Sequence, residues 1–172
     1  MKHSRNMILR RLIFTVFIFA AFVLQFTYIP AMHLPFPVYF LIPLGVSVAM
    51  FEKEFSGMIF GLLAGILWDA ASPLPDGTLA LGFAVFAFAA GLLTRYLLRN
   101  TLLSALVLTA AASAVFSLAA LLYTGFSSGT EILRDLATGM YLPATAVSVL
   151  LTLPVYFIIR KTALMLRNEK NV

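Results

Sequence analysis

The sequence predicts an all-α integral membrane protein, a single domain built as a compact bundle of six transmembrane helices. Of its 172 residues, 62% are hydrophobic and only 11% are charged, and the mean hydropathy is +0.99. Such a chain has too few polar side chains to cover the surface of a water-soluble globule. Six apolar segments with short polar connections, and a strong asymmetry of basic residues between the connections, lead to the same fold class.

The first three segments differ in length. Segment 12–29 follows a basic N-terminus but lacks a convincing small-residue cleavage site, so we expect an uncleaved span rather than a signal peptide. Segment 36–51 is short and contains Pro43, and segment 55–71 is short and rich in glycine. Each of these two is shorter than the roughly 20 apolar residues that usually cross a bilayer.

The remaining segments are 78–98, 102–123 and 136–159. Short connections predict that successive helices run antiparallel. Pro143 and Pro154 are expected to bend the last helix. The basic tail after it fits either a short amphipathic helix on the inner leaflet or a solvated end.

The charges orient the bundle, because basic residues concentrate on the cytoplasmic side of short connections. Six spans with both termini in the cytoplasm place eleven of the twelve basic residues inside, and only Arg134 outside. A five-span model would put the C-terminal cluster from Arg160 to Lys170 on the wrong side. The pI near 9.8 is therefore a topology signal, and we expect contact with the lipid bilayer and no binding to nucleic acid.

Three glycines, Gly57, Gly61 and Gly65, recur at four-residue spacing in the third segment. Glycine inside a helix costs about 1 kcal/mol relative to alanine, and close helix packing in lipid is the expected compensation. The neighbour is either a partner helix or a helix of the same chain. Small residues that could face the glycines lie on the fourth and fifth segments: Ala80, Ala84, Ala87, Gly91, Ala110, Ser113, Ala114 and Ser117.

Asp69 follows Trp68 at the end of this short segment. Even if the helix continues to residue 71, it is only about 25 Å long, against a hydrocarbon core of about 30 Å. We therefore expect the carboxylate to face the bundle or a wet crevice and to find hydrogen-bond donors there. The alternative is a hydrated Asp69 with Trp68 as an interfacial anchor. The outer turn follows with five notable residues, Ser72, Pro73, Pro75, Asp76 and Gly77.

The sequence contains no recognisable catalytic or cofactor-binding motif. It has no cysteine and only two histidines, and no acid lies in the middle of a predicted span. The outer acids Asp69, Asp76, Glu131 and Asp135 could in principle bind a divalent cation, but scattered loop carboxylates usually stay solvated. We therefore expect neither an enzyme nor a resident metal or cofactor.

Residues 61–81, GLLAGILWDAASPLPDGTLAL, resemble the MreD family of bacterial rod-shape-determining membrane proteins. The similar features are a short glycine-rich helix, an acid at Asp69, and Ser72, Pro75 and Gly77 after it. Asp76 and Leu79 differ from the residues that are usual in that family. Length, basic N-terminus, six spans and basic tail extend the resemblance to the whole chain.

The resemblance implies a non-enzymatic scaffold of the cell-wall elongation complex in the bacterial cytoplasmic membrane. Its direct partner would be MreC, a single-span periplasmic scaffold, and through MreC it would connect to MreB, RodA and a penicillin-binding transpeptidase. The alternative is the solute-binding subunit of an energy-coupling-factor transporter, because those six-span bundles are similar in size. Trp68, Asp69 and the turn 73–77 would then line a vitamin or metal pocket. Bulky phenylalanines in the first segment, where such subunits present small residues, place this alternative second.

Overall fold

The computed structural model describes residues 2–28, 33, 36–52, 54–72, 75, 77–98, 100–128 and 133–168, and these contain helices and no strand. We number six helices. They are α1 (Lys2–Val23), α2 (Leu41–Phe51), α3 (Glu54–Asp69), α4 (Thr78–Tyr96), α5 (Leu102–Ser128) and α6 (Leu142–Asn168). A π-helical segment, Leu24–Tyr28, continues α1. A short helix, Leu133–Leu136, and a second π-helical segment, Ala137–Tyr141, lead without a break into α6.

Four helical runs are long and apolar enough to cross a membrane: Ile8–Tyr28, Thr78–Tyr96, Leu102–Gly125 and Leu133–Met165. They correspond to the first, fourth, fifth and sixth predicted segments. Helices α2 and α3 contain only 11 and 16 residues. At 1.5 Å per residue they measure about 17 and 24 Å, so neither spans a hydrocarbon core of about 30 Å by itself.

The prediction that the second helix begins at residue 36 was wrong. Residues 36–40 are not helical, and α2 starts at Leu41. Pro37 disfavours helical geometry at the residue before it. Pro43 lies in the first turn of α2, where its missing N–H leaves no intrahelical hydrogen bond unmade. Pro43 therefore marks the start of the helix rather than a kink in its middle.

Helix α2 is the central helix of the bundle. Every residue from Leu41 to Met50 is buried, and α2 packs against each of the other five helices. Val38 and Tyr39, in the non-helical stretch before it, are also buried. Non-helical backbone is tolerated at membrane depth only where protein covers it or water reaches it, and here protein covers it.

Polar contacts tie the helix ends together where Arg10, Arg95 and Arg160 lie, which we call the basic end. Arg10 forms an ion pair with Glu52 at 2.7 Å, and Arg95 with Glu54 at 2.6 Å. The first pair joins α1 to the connection after α2, and the second joins α4 to the start of α3. At the same end, the Asn100 side chain donates a 3.0 Å hydrogen bond to the Met50 carbonyl.

Several helix ends differ from the predicted boundaries. Helix α3 ends at Asp69 rather than 71, because a turn at residues 70–71 follows it. Helices α4 and α5 end at Tyr96 and Ser128 rather than 98 and 123. The last helical run begins at Leu133 and continues to Asn168, past the predicted end at 159. The tail beyond 159 therefore continues the helix, and its Ala163 is buried.

Candidate functional site

The glycine-rich face of α3 lies against α4, and the contact between these two helices is the most extensive helix contact in the described part of the chain. A Cβ atom added at Gly61 would lie 2.5 Å from the Ala87 Cβ and 2.6 Å from the Phe83 carbonyl oxygen. One added at Gly65 would lie 2.5 Å from the Ala80 Cα. No side chain fits at either position, so the two helix backbones approach each other through glycine. We call this contact the glycine seam.

Gly57 lies against a different helix. A Cβ added there would lie 3.1 Å from the Ala49 Cα of α2, so Gly57 lets the start of α3 approach α2. On α4, Gly91 in turn lies close to the Glu54 backbone. The helices next to the three α3 glycines are therefore α4 and α2 of the same chain, and the small residues that face them on α4 include Ala80 and Ala87.

Asp69 caps the N-terminus of α4 across the intervening turn. Its Oδ2 accepts hydrogen bonds from the backbone N–H of Gly77 at 3.1 Å and of Ala80 at 2.9 Å, and its Oδ1 accepts one from Leu79 at 3.0 Å. The first N–H groups of a helix have no partner inside the helix, and the helix dipole favours negative charge there. The donors expected for Asp69 are thus backbone groups of the next helix.

The turn between α3 and α4 is held by its own backbone. Ser72 donates an N–H to the Asp69 carbonyl at 3.1 Å, and Thr78 donates to the Pro75 carbonyl at 3.2 Å. Gly77 has a φ of 86°, in the left-handed region where glycine is unstrained. In this conformation the Gly77 N–H donates its hydrogen bond to the Asp69 carboxylate. Pro73 and Asp76, which the sequence analysis also placed in the outer turn, lie outside the described residues.

Trp68 faces the bundle rather than the membrane interface. Its side chain is only 9% exposed, and its ring lies 5.2 Å from that of Tyr39 and 5.3 Å from that of Phe83, measured between centroids. Phe116 and Phe26 lie slightly farther away. This aromatic cluster joins the π-helical segment after α1, the stretch before α2, and helices α3, α4 and α5. Trp68 therefore packs at the junction of five parts of the chain.

Gln25 makes a second cap that the sequence analysis did not identify. Its side-chain oxygen accepts hydrogen bonds from the backbone N–H of Phe40 at 2.9 Å and of Leu41 at 3.0 Å, at the start of α2. Gln25 is buried in the π-helical segment after α1. In the sequence, the only sign of this cap is an amide side chain near the end of an apolar segment. Nothing in the sequence indicates that its oxygen accepts hydrogen bonds from α2.

Both caps lie at the end of the bundle opposite the basic end, which we call the Asp69 end.

The arrangement is suited to holding backbone in place rather than to chemistry. Asp69 and Gln25 bind helix N-termini, and Trp68 is enclosed by other rings. Within the part of the chain that the structure describes, no three or more His, Asp or Glu residues are grouped so that they could hold a metal ion. Of the four acids considered for a cation site, Asp76 and Glu131 lie outside the described residues. At the Asp69 end, residues 70, 71 and 75 of the turn between α3 and α4 are exposed.

A comparison with protein-family models gives a match over residues 5–168, to the family described as rod shape-determining protein MreD. No curated protein and no solved structure matches the chain.

Proposed function

The chain belongs to the MreD family of rod shape-determining membrane proteins, and from this membership we propose that it is a non-enzymatic scaffold that binds MreC in the cell-wall elongation complex. Through MreC it would connect to MreB, RodA and a penicillin-binding transpeptidase. The proposal assigns the protein a structural task, that of holding a partner at a fixed place in the membrane.

The Asp69 cap is the observation that carries this proposal. Three backbone N–H groups converge on one carboxylate, so the turn between α3 and α4 is fixed at both of its ends. The glycine seam behind it allows little relative movement of α3 and α4, because there is no space between their backbones. The two ends of the turn, held in this way, lose little conformational freedom when a partner binds beside them, and this favours binding.

We further propose that the Asp69 end faces the periplasm and that both termini lie in the cytoplasm of a bacterium. The basic end, with Arg10, Arg95, Arg160 and Lys161, would then obey the rule that basic residues stay inside. A periplasmic scaffold such as MreC would meet the bundle at the opposite end, where the turn is exposed.

The proposed contact surface is the outer turn, comprising residues 70–77. Its members from the sequence analysis are Ser72, Pro73, Pro75, Asp76 and Gly77. The glycine face of α3 is not proposed as the partner surface, because α4 and α2 already cover it. Ala70, Ala71 and Pro75 are the exposed described residues through which a partner can approach the turn.

Co-purification with MreC in lipid nanodiscs tests the proposal. We expect the wild-type chain to retain MreC, and Ala71→Arg to weaken the complex about tenfold, equivalent to about 1.4 kcal/mol. Thr138→Arg is the matched control, because Thr138 is exposed near the same end on the helical run that leads into α6. Absence of MreC from the folded wild-type chain would contradict the function. Full retention by the Ala71→Arg variant would contradict only the assignment of the turn.

The transporter alternative receives no support from the site. In that hypothesis Trp68 and Asp69 would contact a bound vitamin or metal. Instead Trp68 is surrounded by aromatic rings of this chain, and both carboxylate oxygens of Asp69 accept hydrogen bonds from the backbone of α4. We therefore propose the scaffold function alone.

A further inference from the structure

Five buried hydroxyl-bearing residues lie on α5 and α6, two helices that pack against each other. On α5, Thr109, Ser113 and Ser117 follow one another at four-residue spacing, which places them along one side of the helix. On α6, Ser148 and Thr152 have the same spacing. Four of the five residues are 0% exposed and Ser117 is 6% exposed. Because α5 and α6 pack against each other and against α2, we call these five residues the hydroxyl seam.

Three members of the hydroxyl seam already donate their only hydroxyl proton to a backbone carbonyl. Ser113, Ser148 and Thr152 each donate to a carbonyl three or four residues earlier in their own helix, at 3.1, 2.7 and 3.1 Å. A hydroxyl that donates in this way still has oxygen lone pairs that can accept a hydrogen bond. Each of these three residues therefore keeps hydrogen-bond acceptors at a buried position.

The other two members, Thr109 and Ser117, are different. Neither Thr109 Oγ1 nor Ser117 Oγ has a hydrogen-bond partner among the described residues, although both atoms are buried. Burying a hydroxyl without a partner is costly, and buried polar atoms in proteins are nearly always bonded to protein or to ordered water. Each of these hydroxyls can donate one hydrogen bond and accept others.

We propose that the hydroxyl seam binds ordered water, with one molecule at Thr109 and another at Ser117. The two residues are eight positions apart, or about 12 Å along the helix, which is too far for one molecule to bridge. Water has the matching hydrogen-bonding capacity, because it can accept a hydrogen bond from Thr109 or Ser117 and can itself donate two.

A monovalent cation fits the seam less well than water. Its acceptors would suit such an ion, but its charge needs compensation inside a membrane. Neither Leu102–Ser128 nor Leu142–Asn168 contains an aspartate or a glutamate. A neutral donor is therefore favoured over an ion.

Water-edited solid-state NMR of the chain in lipid bilayers tests the proposal directly. We expect magnetisation from water to reach Thr109 and Ser117 several-fold faster than it reaches Gly61 and Ala87. The latter pair is the internal control, because the glycine seam is buried, apolar and too closely packed for water. Equally slow transfer to both pairs would overturn the proposal.

A stability measurement gives an independent readout. If Thr109 binds water, Thr109→Val removes a partner of that water and lowers the melting temperature, by about 2–4 °C. If no water binds the Thr109 hydroxyl, the same substitution removes a buried polar group that has no hydrogen-bond partner. The melting temperature would then rise, and this result would overturn the proposal. Thr124→Val is the control, because Thr124 lies on the same helix outside the seam and donates to the Ala120 carbonyl at 2.9 Å.

Replacing sodium and potassium by choline at constant ionic strength distinguishes water from a cation. An unchanged melting temperature of the wild-type chain supports water. A loss of stability that only sodium or potassium reverses would overturn the proposal in favour of a cation site.

Discussion

At the scale of single residues, Asp69 connects two helices that are separated by a turn. Its carboxylate accepts from three N–H groups that belong to residues 77–80, while its own backbone ends α3. Asp69 is thus the last residue of α3, and its side chain caps α4. This explains why an acid is tolerated at the end of a helix that is too short to carry it into bulk water.

We expect Asp69→Ala to destabilise the protein by about 2 kcal/mol, at the upper end of the range for a lost helix cap, because three N–H groups lose their acceptor. Asp69→Asn should cost less, since one side-chain oxygen remains. Thermal or denaturant unfolding in detergent measures both. Asp135→Asn is the control, because Asp135 is exposed near the same end. Equal stability of Asp69→Ala and wild type would contradict the capping role.

Substitution of two buried glycines by alanine should have opposite effects. Gly61→Ala places a methyl group 2.5 Å from the Ala87 Cβ, and the resulting overpacking should cost about 1–3 kcal/mol. Gly45→Ala places it 3.8 Å from the Phe83 ring, an ordinary contact, and should be neutral or stabilising by up to about 1 kcal/mol. Unfolding in detergent compares the two. A Gly61→Ala variant as stable as the Gly45→Ala variant would contradict the close approach of α3 and α4.

At the scale of whole elements, α2 shows how a helix of 11 residues can lie in a membrane bundle. The length of α2 does not have to match the thickness of the hydrocarbon core, because the other five helices cover α2. The N–H of Leu41 at its start is capped by Gln25, and near its end the Met50 carbonyl accepts a hydrogen bond from the Asn100 side chain. Both ends of α2 are thus satisfied by side chains from other elements.

The two ion pairs at the basic end should contribute very differently to stability. The Glu52 side chain is only 2% exposed, so Arg10→Ala leaves a buried charge without its ion-pair partner and should cost about 3 kcal/mol. The Arg95 side chain is 62% exposed, so Arg95→Ala should cost less than about 1 kcal/mol. Denaturant unfolding of both variants measures the difference.

A double variant separates the buried charge from the loss of arginine packing. Combining Arg10→Ala with Glu52→Gln should recover most of the lost stability, because the glutamine carries no charge. Without such recovery, packing of the Arg10 side chain would be the dominant contribution.

At the scale of the whole molecule, four helical runs are long enough to cross the membrane and two short helices complete the bundle. The antiparallel order places the start of α1 and the end of α6 at the basic end. The Asp69 end carries the aromatic cluster, both caps and the exposed turn. We expect this asymmetry to correspond to the two sides of the bacterial cytoplasmic membrane.

Cysteine labelling tests the orientation, and the native chain contains no cysteine that would interfere. We expect Asp135→Cys to react with a membrane-impermeant maleimide in spheroplasts, because this exposed residue lies at the Asp69 end. Lys161→Cys, exposed at the basic end, should react only after permeabilisation. The reverse labelling pattern would contradict the proposed topology.

The sequence by itself determined the class of the protein and the approximate number and position of its helices. Apolar length and charge are local properties, so they could be summed over segments without knowledge of packing. The spacing of Gly61 and Gly65 also predicted a close helix contact, and Asp69 was expected to find donors. The resemblance carried by residues 61–81 agrees with the family match over residues 5–168.

Only the tertiary structure decided which groups meet. The α4 helix rather than a partner covers Gly61 and Gly65, Gln25 caps a helix that begins 16 residues later, and Trp68 is enclosed by rings from distant segments. A single sequence cannot specify such pairings, because many small or aromatic residues on other helices are equally suitable neighbours. The close packing of all six helices selects one set of neighbours, and that selection makes a glycine-rich stretch the contact between α3 and α4 and one acid the cap of α4.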